Sequence, residues 1–133
     1  MGLGGLGRFW TRSESHYQLV KNRIQKILED LIPKWEKILD VKANEVNVKT
    51  MRTKWGSCNP ASGNILINLE MAKKPFDCIE YVVAHELTHL IERTHNQNFQ
   101  AHLDKYLPNW KQIREDLNLA DLTDSNLNSP DDD

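Results

Sequence analysis

Hydrophobic residues recur at helical spacing along the first third of the chain. Between residues 14 and 39 they stand three or four positions apart, which places them on one face of a long amphipathic helix. Pro33 falls inside this segment, and because proline removes a helical hydrogen bond, we expect it to kink the helix or divide it in two. The apolar face consists of Leu19, Val20, Ile24, Ile27, Leu28, Leu31, Trp35, Ile38 and Leu39.

Two shorter segments alternate between apolar and other residues and predict β-strands. They are Val46–Arg52 and Gly63–Asn68, and an Ala-Ser-Gly turn at 61–63 precedes the second. Because turn residues separate the two segments, we expect them to pair as an antiparallel hairpin. The pattern therefore predicts a small antiparallel β-sheet.

The second half of the chain predicts three helices, over residues 77–93, 96–106 and 108–117. Apolar residues surround most of the first helix, which is typical of a helix buried in the core. Asp77, followed three residues later by Glu80, fits an N-terminal capping box. The expected fold is α+β, with the small sheet packed on this central helix and with helices flanking it.

Size, charge and cysteine content limit the classes of function that the protein can have. The chain has 133 residues and a net charge of -2, which argues against strong commitment to nucleic acid or anionic membranes. No apolar run is long enough to cross a membrane. Two cysteines, Cys58 and Cys78, are too few for a disulfide framework. One intramolecular disulfide is an alternative, but we expect two buried thiols in a reducing cytoplasm.

Composition also divides the chain. The glycine-rich residues 1–13 predict a flexible lead-in, residues 14–119 a single domain, and the acidic residues 120–133 a disordered tail.

The central helix carries an HExxH motif, His-Glu-Leu-Thr-His at 85–89. Four residues make just over one helical turn, so His85 and His89 project from one face and can bind a single ion. Glu86 lies about 100° around the helix from His85, where it can reach a water molecule without binding the metal. The pattern favours a Zn²⁺ site with Glu86 as general base.

A catalytic zinc needs a third protein ligand and an open position for water. Four downstream residues could supply the ligand: Glu92, His95, His102 and Glu115. His95 requires a turn near Thr94 to return to the metal, whereas Glu115 would come from a later helix. We favour His95 over Glu115, and both over the other two.

A second cluster begins at the end of the first predicted strand and comprises Arg52, Trp55, Gly56, Ser57 and Cys58. Cys58 could serve as a soft zinc ligand, but three nitrogen ligands already suffice, and the other four are the candidate cleft residues. These residues are compatible with a packed tryptophan and a tight turn at a strand end. The functional interpretation is an edge strand beside the metal cleft, where a peptide substrate could pair in extended form.

Several segments together resemble the YgjP-like zinc metallopeptidases, which are related more distantly to SprT-like and WLM-type metalloproteases. The resemblance spans roughly residues 14–115. It rests on Met-Arg-Thr-Lys-Trp-Gly-Ser-Cys-Asn at 51–59, Asn-Leu at 68–69, Tyr-Val-Val-Ala-His-Glu-Leu-Thr-His-Leu at 81–90, His-Asn at 95–96 with Phe99, and Pro108 with Trp110.

The resemblance implies a zincin-like fold in which a small β-sheet packs on the active-site helix. It also implies His85, His89 and His95 as zinc ligands, Glu86 as catalytic base, and a role for the segment 52–58 at the cleft.

The leading hypothesis is therefore a cytoplasmic zinc metallopeptidase that hydrolyses a peptide or amide bond in a protein or peptide substrate. The alternative is a zinc-containing module that binds a protein or nucleic-acid-associated partner without catalysis. The kinship to SprT-like proteins motivates this alternative, and a basic strip of Lys42, Lys49, Arg52 and Lys54 would serve it.

Overall fold

The computed structural model describes residues 12–119, which form four α-helices, three strands and one short 3₁₀ helix. Most of the predicted lead-in and the whole predicted acidic tail lie outside the described residues. Arg12 and Ser13 already belong to the first helix. In chain order the elements are α1 (Arg12–Leu39), β1 (Glu45–Lys49), β2 (Gly56–Asn59), β3 (Asn64–Asn68), the 3₁₀ helix (Leu69–Lys73), α2 (Phe76–Thr88), α3 (Gln97–Tyr106) and α4 (Trp110–Leu119).

Helix α1 continues through Pro33, so the expected division into two helices is wrong. Pro33 lies on the exposed side of the helix. Buried apolar side chains precede and follow it on the opposite face, and packing of that face stabilises helix on both sides of the missing hydrogen bond. These side chains pack toward α2 and the 3₁₀ helix; the buried ones are Ile24, Leu28, Leu31, Trp35 and Leu39.

The sheet is mixed, with strand order β1-β3-β2, and the antiparallel pairing expected between the two predicted strands is wrong. β1 runs parallel to β3, with Val46 opposite Ile65. The antiparallel partner of β3 is β2, a Gly-Ser-Cys-Asn segment that has no alternating pattern. Residues 50–63 join β1 to β3, and this is long enough for the crossover that a parallel pair requires.

A tight turn closes the β2–β3 hairpin. Gly63 has φ of +79° there, and its N–H donates to the Asn59 carbonyl at 2.8 Å. Because a left-handed backbone suits glycine, this position explains the predicted turn at 61–63.

Helix α2 forms the centre of the molecule and contacts α1, β2, α3 and α4. Every residue from 81 to 89 is buried, which confirms the expected core position. The predicted capping box is wrong, since Pro75 precedes the helix and no side chain caps it. Glu80 instead accepts hydrogen bonds from Trp35 Nε1 at 2.9 Å and Lys34 Nζ at 2.6 Å, and so joins α2 to α1.

The last two helices complete the α+β fold. Asn96 caps α3, its side chain accepting from the Phe99 N–H at 2.9 Å, and the helix matches the predicted residues 96–106. Helix α4 begins and ends two residues later than predicted. Within residues 12–119, the helices are all too short or too polar to span a bilayer.

Candidate metal centre

Two histidines of the HExxH motif face one another on the buried side of α2. The ring centres of His85 and His89 lie 5.0 Å apart, and both side chains are almost wholly inaccessible. The i, i+4 spacing places both rings above the same stretch of helix. Imidazoles in the core need polar partners, so their burial already indicates a shared ligand or a hydrogen-bond network.

The chain reverses immediately after this pair, earlier than the sequence suggested. α2 ends at Thr88 rather than near residue 93, and the N–H groups of Leu90 and Ile91 donate to Leu87 and Thr88 in a final tight turn. This reversal brings His95 back over the helix. The ring centre of His95 lies 4.9 Å from that of His85 and 4.5 Å from that of His89.

The three imidazoles form one group with the dimensions of a metal site. One ligand nitrogen from each lies within 4.8 Å of the others. The Nε2 atoms of His85 and His95 are 3.1 Å apart. Two nitrogens bound to one tetrahedral zinc ion, each about 2.0–2.1 Å from it, are separated by about 3.3 Å. The donor set and its spacing therefore fit a zinc ion.

The other third-ligand candidates lie elsewhere. Glu92, His102 and Glu115 are outside the group, and residues 12–119 contain no second cluster of three potential ligands. The Glu92 carboxylate accepts from Asn96 Nδ2 at 3.0 Å. Glu115 is exposed on α4.

Hydrogen bonds to the outer ring nitrogens orient the two α2 histidines. His89 Nδ1 lies 3.1 Å from the Glu92 carbonyl oxygen, and His85 Nδ1 lies 3.2 Å from Glu86 Oε2. If each Nδ1 carries the proton, it donates to that oxygen and leaves Nε2 as the electron-pair donor toward a metal. The turn after α2 thus positions His95 and also orients His89.

Phe99 supports all three histidines, a role that sequence reasoning did not assign to it. Its ring centre lies 5.0 Å from His85, 4.7 Å from His89 and 4.7 Å from His95. The Asn96 cap sets the start of α3 and hence the position of Phe99 one turn later. The only sequence signal was the spacing of Phe99 after the His-Asn pair.

Glu86 lies against β2, and this close approach requires a glycine. Glu86 is 2% exposed. A Cβ atom added to Gly56 would lie 3.0 Å from Val82 Cγ1 and 3.1 Å from Glu86 Cγ. Because real Cβ atoms rarely approach so closely, Gly56 allows β2 to pack directly on the carboxylate-bearing turn of α2.

The structure separates the four predicted cleft residues into two pairs. Trp55 and Gly56 line a cavity of about 20 Å³ together with His85 and Glu86. Arg52 is exposed and Ser57 is half-buried, and neither lines this cavity. β2, which carries Gly56 and Ser57, is an edge strand within the described sheet.

Asn68 holds the segment that leads into β2. Its side chain is fully buried, and Nδ2 donates to the carbonyls of Met51 at 3.0 Å and Lys54 at 2.7 Å. Oδ1 accepts from the Glu70 N–H at 3.0 Å. The end of β3 therefore fixes the loop that presents Trp55 and Gly56. Sequence reasoning noted Asn68 only as part of the family resemblance.

Cys58 and Cys78 are not joined by a disulfide, as expected, but only Cys78 is buried and Cys58 is half-buried. Burial, together with the negative charges of Asp77 and Asp116, raises the pKa of the Cys78 thiol to about 11. Cys78 is therefore protonated at neutral pH and is a poor nucleophile or metal ligand.

An α+β fold in which three histidines converge at a buried helix has the donor set of a metal-dependent enzyme. A model of the YgjP-like metallopeptidase domain matches residues 11–120, and the chain belongs to this family. No curated protein matches the chain in sequence.

Solved structures share the fold. The metallopeptidase zymogen of Pyrococcus abyssi abylysin is 20% identical, with a TM-score of 0.66 over 73% of this chain and 97% of that one. The metallopeptidase zymogen of Methanocaldococcus jannaschii jannalysin is 17% identical, with a TM-score of 0.62 over 70% of this chain and 95% of that one. The predicted family and α+β fold are confirmed.

Proposed function

We propose that the protein is a zinc peptidase in which His85, His89 and His95 hold the ion and Glu86 is the general base. One observation carries the assignment: three imidazoles from two chain segments converge within 4.8 Å, beside a buried glutamate. Three nitrogen ligands are typical of catalytic zinc, since a structural zinc usually has four protein ligands.

The residues around the site support peptide hydrolysis. Zinc bound by the three histidines would lower the pKa of water toward ~7 and would polarise a peptide carbonyl. Glu86 takes the proton of the attacking water as the water oxygen bonds to the carbonyl carbon. The carboxyl group then delivers that proton to the amide nitrogen as the C–N bond breaks, so that Glu86 ends the cycle ionised.

The position of Glu86 suits this role for two reasons. Its burial between α2 and β2 limits the orientations of the carboxylate, and its contact with His85 Nδ1 places it beside a proposed ligand. A base held in one orientation loses little entropy when the reaction begins.

We place the substrate along β2. An extended peptide can add to an open strand edge through main-chain hydrogen bonds, and β2 borders the same cavity as His85 and Glu86. Within this proposal Trp55 and Gly56 shape the wall nearest the metal, whereas Arg52 and Ser57 would contact more distant parts of the peptide. The absence of a disulfide between Cys58 and Cys78 is compatible with a reducing cytoplasm, where we propose that the protein acts.

Metal content tests the ligand set. We would measure zinc by elemental mass spectrometry in the parent protein, in His95→Ala and in Glu115→Ala after equal exposure to zinc. About one zinc per chain in the parent and in Glu115→Ala, with loss in His95→Ala, is the expected result. Zinc retained by His95→Ala but lost from Glu115→Ala would transfer the third ligand to the carboxylate.

Hydrolysis tests the base. Glu86→Gln preserves the size of the side chain but removes its proton-accepting carboxylate, and we expect zinc to remain while the rate falls at least about hundredfold. A full rate in zinc-loaded Glu86→Gln would refute the proposed role.

Two cations of the basic strip predicted for the nucleic-acid alternative lie near acidic side chains. Lys42 pairs with Glu36 at 3.7 Å, while Lys54 lines the small cavity beside Glu86. Two of the four cations of the predicted basic strip, Lys42 and Lys54, therefore lie beside a glutamate of the protein itself.

A further inference from the structure

A second cavity shares Tyr81, His85 and Arg114 with the small cavity beside Glu86 and carries one permanent positive charge. We call it the Arg114 cavity. Its volume is about 80 Å³, enough for several water-sized groups. It is lined by Tyr81, His85, His95, Phe99, Gln100, Trp110 and Arg114, so no aspartate or glutamate contributes to its wall.

A series of ring contacts connects Arg114 to the metal site. Tyr81 packs 5.6 Å from His85, and the Trp110 ring is parallel to that of Tyr81 at 6.5 Å between centres. Arg114 Cζ lies 5.3 Å from the centre of the Trp110 ring. Trp110 is held in turn by its Nε1, which donates to Asp104 Oδ1 at 2.7 Å. The guanidinium is thus placed by α4 beside two proposed zinc ligands.

Arg114 forms no ion pair with a described carboxylate, although it also lines the smaller cavity that contains Glu86. Among the side chains described from residue 16 to residue 119, no carboxylate oxygen lies within 4.0 Å of its guanidinium. Arg114 is half-buried, and aromatic side chains form much of the cavity wall. Because protein atoms around a half-buried charge screen it less than bulk water does, a charge in this position attracts an anion more strongly than an exposed arginine does.

We propose that the Arg114 cavity binds a carboxylate of the peptide substrate next to the bond that is cleaved. This inference rests on the proposed function. A guanidinium presents paired N–H donors that match the two oxygens of a carboxylate, and Gln100 adds an amide to the same wall. Peptides supply a carboxylate from two sources, the C-terminus and an acidic side chain. Either source gives the enzyme a preference for an anionic position in its substrate.

Equilibrium binding separates this inference from the proposed function, because it does not require turnover. We would titrate zinc-loaded Glu86→Gln protein with two matched peptide pairs, using isothermal calorimetry. The first pair is acetylated tetra-alanine with a free C-terminal carboxylate or with a C-terminal amide. The second is acetylated, amidated Ala-Ala-Glu-Ala or Ala-Ala-Gln-Ala.

At least one acidic peptide should bind about tenfold to hundredfold more tightly than its neutral partner, as expected for a charge-assisted hydrogen-bond pair. Adding Arg114→Gln should abolish that preference. Adding Arg93→Gln should preserve it, because Arg93 is an exposed arginine in the turn after α2 and does not line the cavity. A preference in the first pair alone identifies C-terminal recognition, and one in the second alone identifies an acidic side chain.

Two results would overturn the proposal. One is that neither acidic peptide binds more tightly than its neutral partner at peptide concentrations up to millimolar. This result does not require an Arg114 variant. The other is a preference that persists in folded Arg114→Gln, since the carboxylate would then bind elsewhere, for example at zinc. Arg114→Lys keeps the charge without the paired donors and should retain only part of the preference. Loss of hydrolysis in the parent protein with the binding preference intact would refute the proposed function alone.

Discussion

Gly56→Ala should reduce catalysis without removing the metal. The added Cβ would lie 3.0 Å from Val82 Cγ1, 3.1 Å from Glu86 Cγ and 3.2 Å from Glu86 Oε2, whereas ordinary contacts begin near 3.4 Å. Strand β2 or Glu86 must therefore move by a few tenths of an ångström. Overpacking of this kind costs about 1–3 kcal/mol of folding free energy.

The rate should be more sensitive than the stability, because Glu86 is the proposed base. A displacement of about 1 Å at a catalytic group can cost about hundredfold, so a movement of a few tenths should lower kcat/KM by about tenfold. The three atoms nearest to the added Cβ belong to Val82 and Glu86, not to a histidine. Zinc content should therefore stay near that of the parent.

Gly63→Ala is the matched control. Gly63 has φ of +79°, and its added Cβ would lie 3.2 Å from Asn44 Cβ, far along the hairpin from Glu86. We expect a loss of about 1–2 kcal/mol of stability with kcat/KM per folded, zinc-loaded molecule unchanged. Denaturant unfolding, elemental analysis and cleavage of a fluorogenic peptide mixture would be measured for both variants. Full kcat/KM in Gly56→Ala, or an equal loss in Gly63→Ala, would refute the reasoning.

Three further predictions concern the surroundings of the site. Asn68→Ala leaves the Met51 and Lys54 carbonyls without their amide donor and should lower the free energy of unfolding by about 2–4 kcal/mol, measured by denaturant unfolding. The control Asn64→Ala loses one exposed hydrogen bond to Asn44 and should cost less than about 1 kcal/mol. Equal losses in the two variants would contradict the role of Asn68. Phe99→Ala removes the side chain against which all three histidines pack. Zinc affinity, measured by competition with a chelator, should therefore fall about tenfold or more. Unchanged affinity would show that the histidines hold their positions without Phe99. Because the pKa of Cys78 is raised, the unfolded chain loses the thiol proton near pH 9.0 and the folded chain only near pH 11. The free energy of unfolding should therefore fall more steeply between these pH values in the parent than in Cys78→Ala. Equal dependence on pH in the two proteins would contradict the shift.

Local sequence determined much of the candidate site. The apolar spacing of α1 and the broad apolar surface of α2 predicted where these helices lie, because helical periodicity is a property of neighbouring residues. The i, i+4 spacing of His85 and His89 likewise required both rings to share one face once α2 formed. His95 could be predicted only as one of four candidates, since its position depends on how the chain turns after the helix.

Tertiary structure decided the relations between distant segments. β2, which has no strand pattern, pairs antiparallel with one side of β3. β1 pairs in parallel with the other side of β3. Glu80 joins α1 to α2 instead of capping its own helix, since Trp35 and Lys34 present donors to it from across the core. The contacts of Gly56 with Glu86 and the placement of Arg114 beside His85 have no local signal at all. Local propensity can specify an element, but strand partners and side-chain neighbours from remote segments are selected by packing of the whole core.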